Sequence, residues 1–493
     1  MKDVTADTFT SSPATFFMEQ QDKSLRILLW LVAIGFFMQT LDATIVNTAL
    51  PAMAASLGES PLRMQSVIVA YSLTMAMLIP ASGWVADRFG TRRVYVGAIA
   101  LFSLGSLLCA LSGSLTQLVA ARVVQGMGGA LLLPVGRLTV LRSVPRSQFL
   151  QAMSFIAIPG LIGPLLGPTL GGWLVEVASW HWIFLINLPV GLLGGAATLM
   201  YMRDTRGDAV HRFDLAGYLL LAFGMVSLSL ALDGLSGLGL GQAGVLVMLV
   251  FGLASLTAYW LHAARRPDPL FSPRLFTIPT LCIGLLGNLF SRLGSSCMPF
   301  LVPLLLQVSL GYSPVQAGMM MLPVALAGMA VKRVTTPLIT WAGYRRVLVL
   351  NTALVGLTMA SFALVSPAQP LWLRLLQLAF FGAVNSMQFT AMNTLTLKDL
   401  DGPLASSGNS LLSMVQMLAM GMGVAAAGAV LAGFTALLAH GEPGSGRTLE
   451  AFHATFACMG LITLASAGIF WQIAQDERPS GPAPSSGDVG DHG

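Results

Sequence analysis

Long apolar runs separated by short polar loops make up almost the whole chain. Each run is about 20 residues long, which is the length that an α-helix needs to cross the hydrocarbon core of a bilayer. Strands of a membrane barrel would be about ten residues long and alternate in polarity, and this chain lacks that pattern. The pattern therefore predicts an all-α membrane protein with fourteen spans, at approximately residues 26–50, 64–86, 94–113, 116–136, 148–174, 182–202, 214–234, 243–263, 279–303, 314–336, 346–366, 372–393, 404–434 and 452–474.

The composition also favours a membrane protein over a soluble one. The chain has 493 residues, of which 55% are hydrophobic and only 10% are charged, whereas about a quarter of the residues in soluble domains are charged. Its net charge of +5 would suit nucleic acid, but the basic residues occupy short loops between apolar runs. We therefore expect the lipid bilayer as the surroundings of the chain and no nucleic acid as a partner.

The basic residues are distributed unevenly between the two sets of loops. When fourteen spans are counted, most of the 26 Lys and Arg residues lie on the side of the N-terminus. Short loops rich in Lys and Arg stay in the cytoplasm during membrane insertion, so both termini are predicted to be cytoplasmic. The first 23 residues are polar and lack the pattern of a cleavable signal peptide.

A basic turn recurs in the two halves of the chain. The sequence ADRFGTRR at 86–93 has a weaker echo, WAGYRRV, at 341–347, and each follows the second span of a six-span block. This repeat predicts two parallel six-helix halves. The expected organisation is a cytoplasmic tail at 1–23, a first half at 24–202, two inserted helices with a linker at 203–274, a second half at 275–475 and a disordered cytoplasmic tail at 476–493.

Few groups in the chain suit an enzyme. The four cysteines lie in apolar runs without metal-ligand spacing, so we expect no metal site and no disulfide. The spans carry no Ser/His/Asp or His/Glu constellation, and the chain has no Walker-type phosphate loop. We therefore expect neither catalysis nor direct use of ATP.

Two opposite charges lie inside spans at similar depths. Asp42, in LDATIVNTALP, lies about 12 Å below the outer end of the first span, and Arg122, in ARVVQGMGGA, lies about 9 Å below the outer end of the fourth. A charge in hydrocarbon costs about 2.5–3.5 kcal/mol on insertion scales, so such residues usually face a polar interior and pair. We interpret Asp42 as the proton-binding group and Arg122 as its partner. A static structural ion pair is the alternative.

The fifth span carries glycine and proline at regular spacing. In GPLLGPTLGG, Gly163, Gly167 and Gly171 recur every four residues, and such a face lets another helix approach closely. Pro164 and Pro168 remove backbone donors and permit a bend. The glycine stripe alone indicates no more than close helix packing.

These stretches resemble the motifs of the fourteen-helix drug:proton antiporter branch of the major facilitator superfamily, over nearly the whole chain. The first-helix motif of that branch matches at 41–51, and its R-x-x-Q-G pattern matches at Arg122, Gln125 and Gly126. Its antiporter signature matches at 163–172 and ends with Gly172. The signature loop of the superfamily, GWVADRFGTRR, matches at 83–93 through Gly83, Asp87, Arg88, Gly90, Arg92 and Arg93.

The resemblance implies a major facilitator fold and a proton-coupled exporter of small molecules in the bacterial inner membrane. It implies that the proton gradient drives transport without a cofactor. It also implies a monomer that can work alongside other efflux components. Within the family, the fifth-helix signature marks exporters, and we interpret it as a rocking seam near the outer face.

The signature loop is implied to form a cytoplasmic latch between the two halves. In this interpretation Asp87 meets the start of the thirteenth span, near Ser406 and Ser407, where the helix dipole is positive. A solvated basic turn that only sets topology is the alternative for Arg92 and Arg93. The echo at 341–347 lacks an acidic residue at the corresponding place, so a second latch is not expected.

Arg292 does not fit a pocket for lipophilic cations. It lies near the middle of the ninth span, in GNLFSRLGSSCMPF, one turn after Asn288. A guanidinium suits carboxylate or phosphate ligands. Its alternative role is structural, through helix-end carbonyls or by reaching toward the interface. The candidates for a substrate pocket are Arg292, Asn288, Gln307, Asn385, Gln388 and Gln39.

Two substrate classes therefore remain open. The leading hypothesis is multidrug efflux in exchange for protons. The alternative is export of a small organic anion, or of a citrate-like metal–anion chelate, that binds through Arg292. A channel or a transporter-like sensor is a third and weaker hypothesis, because the sequence shows neither a selectivity filter nor a signalling domain.

Overall fold

Helices account for nearly all of the described residues. The computed structural model describes residues 13–144, 149–206, 213–234, 242–400, 403–438 and 445–474, and no strand occurs among them. The predicted all-α class is confirmed. The first ten helices are α1 (Pro13–Leu57), α2 (Gln65–Leu78), α3 (Ser82–Phe89), α4 (Thr91–Ala110), α5 (Leu115–Ser143), α6 (Phe149–Val177), α7 (Trp182–Leu185), α8 (Asn187–Tyr201), α9 (Leu215–Gly234) and α10 (Gln242–Arg265).

The other ten helices follow a short loop after α10. They are α11 (Pro279–Ser295), α12 (Met298–Leu304), α13 (Pro314–Met320), α14 (Leu322–Ala330), α15 (Lys332–Ala342), α16 (Tyr344–Ser361), α17 (Leu371–Leu397), α18 (Pro403–Leu438), α19 (Ser445–Ala465) and α20 (Ala467–Phe470). Short 3₁₀-helices and one π-helical turn lie between them, at Pro61–Met64, Ile79–Ala81, Pro273–Thr277, Leu305–Ser309 and Phe362–Leu364.

The predicted count of fourteen spans is not confirmed in full. Eleven helical stretches of the described residues are long and apolar enough to cross a membrane. A twelfth is added if α13 and α14 form one span with α15, which is bent away from them by 46°. The two remaining predicted spans coincide with α6 and α17, which are 29 and 27 residues long. Some side chains of α6 lie outside the described residues, and α17 carries several polar residues, among them Asn385 and Gln388.

Glycines allow α4 and α5 to approach until their backbones touch. A Cβ atom built at Gly128 of α5 would collide with the backbone of Phe102, and one built at Gly105 of α4 would collide with the backbone of Gln125. Such small residues are typical of helix contacts in membranes, where close packing replaces the hydrophobic effect. This contact fixes the position of Gln125 along α4.

The two helices after the first eight, α9 and α10, pack against each other, and α9 also packs against α2 and α18. Their ends are joined by Asp214, whose carboxylate accepts hydrogen bonds from His262 Nε2 at 2.8 Å and from the backbone N–H groups of Gly217 and Leu270 at 3.1 and 3.2 Å. Burial acts to raise the pKa of Asp214, but these donors outweigh it and lower the pKa below its ordinary value. The carboxylate therefore stays ionised and fastens the two helices to the segment before α11.

We predict that Gly128→Ala lowers the free energy of unfolding by about 1–3 kcal/mol, because the added methyl group must push α4 away from α5. The measurement is thermal or chemical unfolding of the purified protein in detergent. Gly97→Ala, also in α4, is the matched control, since a Cβ atom there meets no atom of the described residues within 4 Å. The control should be neutral or gain about 0.5–1 kcal/mol. Equal stability of the two variants would contradict the close contact.

Candidate functional site

Asp42 lies in the middle of α1 and is 1% exposed. Its Oδ2 accepts a hydrogen bond from Arg122 Nη1 at 2.7 Å, within an ion pair of the two side chains. Its Oδ1 accepts from Gln125 Nε2 at 2.7 Å and from Asn187 Nδ2 at 3.1 Å. The carboxylate thus has three side-chain donors from two other helices, which stabilise its charged form.

Arg122 is equally buried and has further partners within its own neighbourhood. Its Nη1 also donates to Gln125 Oε1 at 2.6 Å, and its Nε donates to the carbonyl of Val67 at 3.3 Å. Its guanidinium carbon lies 4.1 Å from the centre of the Tyr71 ring, a distance at which the ring face attracts a cation. The cation therefore keeps several contacts besides the one with Asp42.

Two members of this arrangement were not predicted from the sequence. Asn187, at the start of α8, donates to Ser106 Oγ of α4 at 3.1 Å as well as to Asp42. Gln125 Nε2 donates to the same hydroxyl oxygen at 2.7 Å. We call Asp42, Ser106, Arg122, Gln125 and Asn187 the carboxylate network. It joins α1, α4, α5 and α8, so loss of the charge on Asp42 would weaken contacts among four helices.

Arg292 occupies α11 and has a different environment. Its guanidinium carbon lies 4.5 Å from the ring centre of Phe389 in α17. Its Nε has no hydrogen-bond partner, and it forms no ion pair with any residue in the described part of the chain. The side chain is partly exposed. N–H groups of Arg292 are therefore available to donate hydrogen bonds to a ligand.

The other predicted pocket residues of the second half differ in how many hydrogen bonds their side chains already form within the protein. Asn288 donates to the carbonyl of Gly284 at 2.9 Å and accepts from Gln416 at 3.3 Å. Gln388 accepts from Asn351 at 2.8 Å and donates to Thr352 at 2.5 Å. Both residues are buried, so their amides serve contacts between helices in this structure.

Asn385 and Gln39 have more capacity for a ligand. Asn385 is partly exposed and lies one helical turn before Phe389, on the same face of α17. Gln39 lies one turn before Asp42 and is 8% exposed, and its Oε1 has no hydrogen-bond partner among the described residues. These two residues and Arg292 are the predicted ligand contacts that the structure leaves available.

Gln307 is a predicted substrate contact, but in this structure its side chain binds another helix. Its Nε2 donates to the carbonyl of Thr48 in α1 at 3.0 Å, so it joins two helices at the end of α1 that is predicted to face outward. Glu176 of α6 acts in the same region and accepts from Ser313 Oγ at 2.9 Å and from the backbone N–H of Val315 at 3.3 Å. The contact between Glu176 and the start of α13 was not predicted.

The glycine stripe of α6 lies against α1. Cβ atoms built at Gly163 and Gly167 would collide with the side chains of Thr40 and Thr44, and one at Gly171 would lie 2.5 Å from the carbonyl oxygen of Ile45. Thr48 Oγ1 donates to the carbonyl of Pro168 at 3.2 Å, whereas Pro164 is exposed.

Gly172 extends this packing to α13. A Cβ atom at Gly172 would collide with the carbonyl of Pro314, and one at Gly318 would collide with the carbonyl of Pro168. Thr169 Oγ1 donates to the carbonyl of Gly318 at 3.3 Å. We call this contact of α6 with α13, together with the Gln307 and Glu176 bonds, the closed seam.

The signature loop at 83–93 makes its described contacts with neighbouring segments. Asp87 pairs with Arg142 at the end of α5. Gly90 has φ +96°, a conformation that favours glycine, and precedes the first turn of α4. Asp204, after α8, accepts from the backbone N–H of Arg92 at 3.1 Å and lies 3.6 Å from Arg93 Nε.

The predicted latch of Asp87 with the segment near Ser406 and Ser407 stays a prediction. The side chain of Ser406 lies outside the described residues, and Asp87 pairs with Arg142. Gly83 and Arg88 are exposed. Gly126 of α5 lies close to α2, since a Cβ atom there would be 3.0 Å from Thr74 Cβ and from the carbonyl oxygen of Tyr71.

Comparison with known proteins identifies relatives over almost the whole chain. The family model described as "Major Facilitator Superfamily" matches residues 32–424. The "Putative multidrug resistance protein MdtD" of Pectobacterium carotovorum subsp. carotovorum (strain PC1) is 52% identical over 453 residues, which are 92% of this chain and 97% of that one. The protein of the same name from Salmonella typhi is 51% identical over 463 residues, covering 94% and 97% of the two chains.

Solved structures of transporters share the fold at low sequence identity. An auto-inhibited POT family peptide transporter matches with a TM-score of 0.66 at 17% identity and covers 93% of this chain and 99% of its own. A D-xylose–proton symporter matches with a TM-score of 0.65 at 14% identity, covering 91% and 98%. These likenesses concern the fold alone.

We predict that Arg122→Gln destabilises the protein far more than Asp42→Asn does. Without Arg122 the buried carboxylate loses its counter-charge, and breaking a buried ion pair from one side costs about 3–5 kcal/mol. In Asp42→Asn, Arg122 keeps Gln125, the Val67 carbonyl and the Tyr71 ring. The measurement is a double-mutant cycle of unfolding in detergent. The double variant should be more stable than Arg122→Gln alone, and simple additivity would contradict the coupling.

Proposed function

The chain belongs to the major facilitator superfamily, and we propose that it is a proton-coupled exporter that trades entering protons for small molecules leaving the cell, with multidrug efflux as its activity. As a member of this family it is a multi-pass membrane protein that transports small molecules. The names of the relatives at 51–52% identity favour drugs as its substrates. We further propose a location in the bacterial inner membrane, two six-helix halves, cytoplasmic termini and a monomeric state.

The carboxylate network carries the proposal of proton coupling. Asp42 is a buried titratable group with a cation, an amide from α5 and an amide from α8 in direct contact. A proton that binds Asp42 removes its negative charge, so the ion pair with Arg122 becomes a weaker contact between a neutral acid and a cation. The four helices that meet at Asp42 can then move relative to one another, which couples proton binding to a change of shape.

The closed seam supports alternating access as the form of that change. The contacts of α6 with α13 and of Gln307 with Thr48 hold one end of the protein together. Besides apolar packing, they include a few hydrogen bonds and the close glycine contacts at Gly172 and Gly318. In the proposed cycle, opening of this seam lets protons reach Asp42 from outside, and its closure turns the substrate site towards the cytoplasm.

Arg292 favours the second candidate function, export of a small organic anion or a metal–anion chelate. Its guanidinium has no carboxylate partner in the part of the chain that the structure describes, so it can give charge-assisted hydrogen bonds to an anion. The Phe389 ring lies beside it and can contact the apolar part of such a ligand. Asn385 lies one helical turn before Phe389 on the same face of α17 and can contact the polar part. A lipophilic cation would instead be repelled by Arg292.

We predict that Asp42→Asn abolishes proton-coupled transport while the protein is still inserted at near-normal abundance. The asparagine oxygen can still accept from Arg122, but the side chain cannot bind a proton. The assay uses inside-out vesicles with an acridine dye that reports the pH gradient, to which lipophilic cations or small carboxylates are added, the carboxylates with and without a metal ion.

Asn47→Asp tests whether a carboxylate elsewhere on the same helix can replace Asp42 in this assay. Asn47 is buried on the same helix, and its amide donates to the carbonyl of Thr44, away from the carboxylate network. Introducing a carboxylate there in the Asp42→Asn background should not restore the response. Undiminished collapse of the pH gradient in Asp42→Asn would defeat the assignment of Asp42.

We predict that Arg292→Ala lowers transport of carboxylates at least tenfold and leaves transport of lipophilic cations unchanged or improved. The reason is loss of a charge-assisted bidentate contact, worth about 1.5–3 kcal/mol. Arg292→Lys is the matched variant, which keeps the charge but loses the planar fork, and it should retain part of the carboxylate transport. If all substrates fall equally, together with protein abundance, Arg292 is a structural residue.

A further inference from the structure

An open pocket of about 600 Å³ lies at the C-terminal end of α10. It is separate from the carboxylate network and from Arg292. Three of its six lining residues are basic or can become so, and the others are apolar or proline. The lining residues are Ala258, Leu261, His262, Arg265, Arg266 and Pro267.

The pocket carries more positive than negative charge on its accessible surface. Arg265 is exposed and forms no ion pair among the described residues. Arg266 approaches Asp214 only through Nε, at 3.5 Å, so its terminal nitrogens remain for another acceptor. Asp214 itself is 3% exposed and is satisfied by protein donors. Asp268 is exposed nearby, and it forms no ion pair with either arginine.

The surroundings of the pocket place it at the boundary of the bilayer. The helix that leads to it exposes large apolar side chains that suit lipid contact, namely Leu246, Val250, Phe251, Leu253, Trp260 and Leu261. Aromatic side chains such as Trp260 are typical of the membrane interface. A ligand of this pocket therefore meets two guanidinium groups on one side and hydrocarbon on the other.

We propose that this pocket binds the headgroup of an anionic phospholipid from the surrounding bilayer. Arg265 and Arg266 contact the phosphate, and one acyl chain lies along Ala258 and Leu261. Basic pockets on the cytoplasmic side of membrane proteins recognise lipid headgroups in this way. The negative end of the α10 dipole opposes an anion at this place, so binding depends on both guanidinium groups.

The site gives the inserted helices a role. His262 and Arg266, which line the pocket, also contact Asp214, and Asp214 holds the first turn of α9 and the backbone of Leu270. Because α9 packs against both α2 and α18, a bound lipid would stabilise the region where these helices meet.

The test measures lipid binding by the purified full-length protein in detergent, without transport. Short-chain phosphatidylglycerol, phosphatidylcholine of the same chain length and inorganic phosphate are titrated separately. The shift of the thermal unfolding midpoint gives the apparent affinity, and native mass spectrometry counts bound lipids. The variants are wild type, Arg265→Gln and Arg346→Gln. Arg265 does not touch Asp214, so its replacement leaves that junction intact, and Arg346 is an exposed arginine at the start of α16.

Phosphatidylglycerol should bind wild type and Arg346→Gln equally, and Arg265→Gln about fivefold more weakly, the factor expected for one basic residue at an anionic membrane surface. Phosphatidylcholine should not distinguish the three proteins. Equal phosphatidylglycerol affinity for wild type and Arg265→Gln would overturn the proposal. An Arg265-dependent shift with inorganic phosphate alone, equal in size to that with the lipid, would show a site for soluble phosphate and would also overturn it. Neither result depends on whether the protein exports drugs.

Discussion

An ionised carboxylate inside a membrane protein is stable only when donors replace the water it has lost, and Asp42 imposes this requirement on the first eight helices. Its three donors come from α5 and α8, and Ser106 of α4 holds two of the amide groups in place. Gly105, next to Ser106, lets the backbone of α4 touch that of α5 at Gln125. The polar network and the close glycine packing are therefore one structure, because the amides reach the carboxylate only when the helices lie this close together.

The part of this arrangement that could be predicted is the part that carries charge. Few charged residues lie inside spans, and each is costly there, so the similar depth of Asp42 and Arg122 was enough to expect their contact. Asn187 and Ser106 are neutral and small, and such residues occur throughout membrane helices without a large penalty. Nothing in their spacing separated them from ordinary packing residues. The motif identified Gln125, but only the structure places its amide between Asp42 and Ser106.

Helix positions were predicted better than helix contacts. Hydropathy located every predicted span on a helix, because the length of an apolar run directly reflects the thickness of the bilayer. It did not show the 46° bend before α15, which depends on local backbone geometry. The spacing of Gly163, Gly167 and Gly171 predicted a close neighbour without identifying it. The neighbour is α1, whereas Gly172 faces α13. The signature loop is predicted to join the two halves. Its described ion pairs are those of Asp87 with Arg142 at the end of α5 and of Arg93 with Asp204 after α8.

The contrast between Arg122 and Arg292 bears most directly on the substrate. Both guanidinium groups lie over an aromatic ring inside the protein, at 4.1 Å from Tyr71 and 4.5 Å from Phe389. Arg122 has a carboxylate partner, so the pair presents little net charge to its surroundings. Arg292 has none among the described residues, and an arginine cannot escape its charge by losing a proton. The protein therefore keeps a cation over the Phe389 ring with no carboxylate partner among the described residues, and water or an anion can supply the missing acceptor. If the proposed export function uses this site, a substrate that supplies an anion would gain most from Arg292, and we therefore propose acidic or zwitterionic compounds as its substrates.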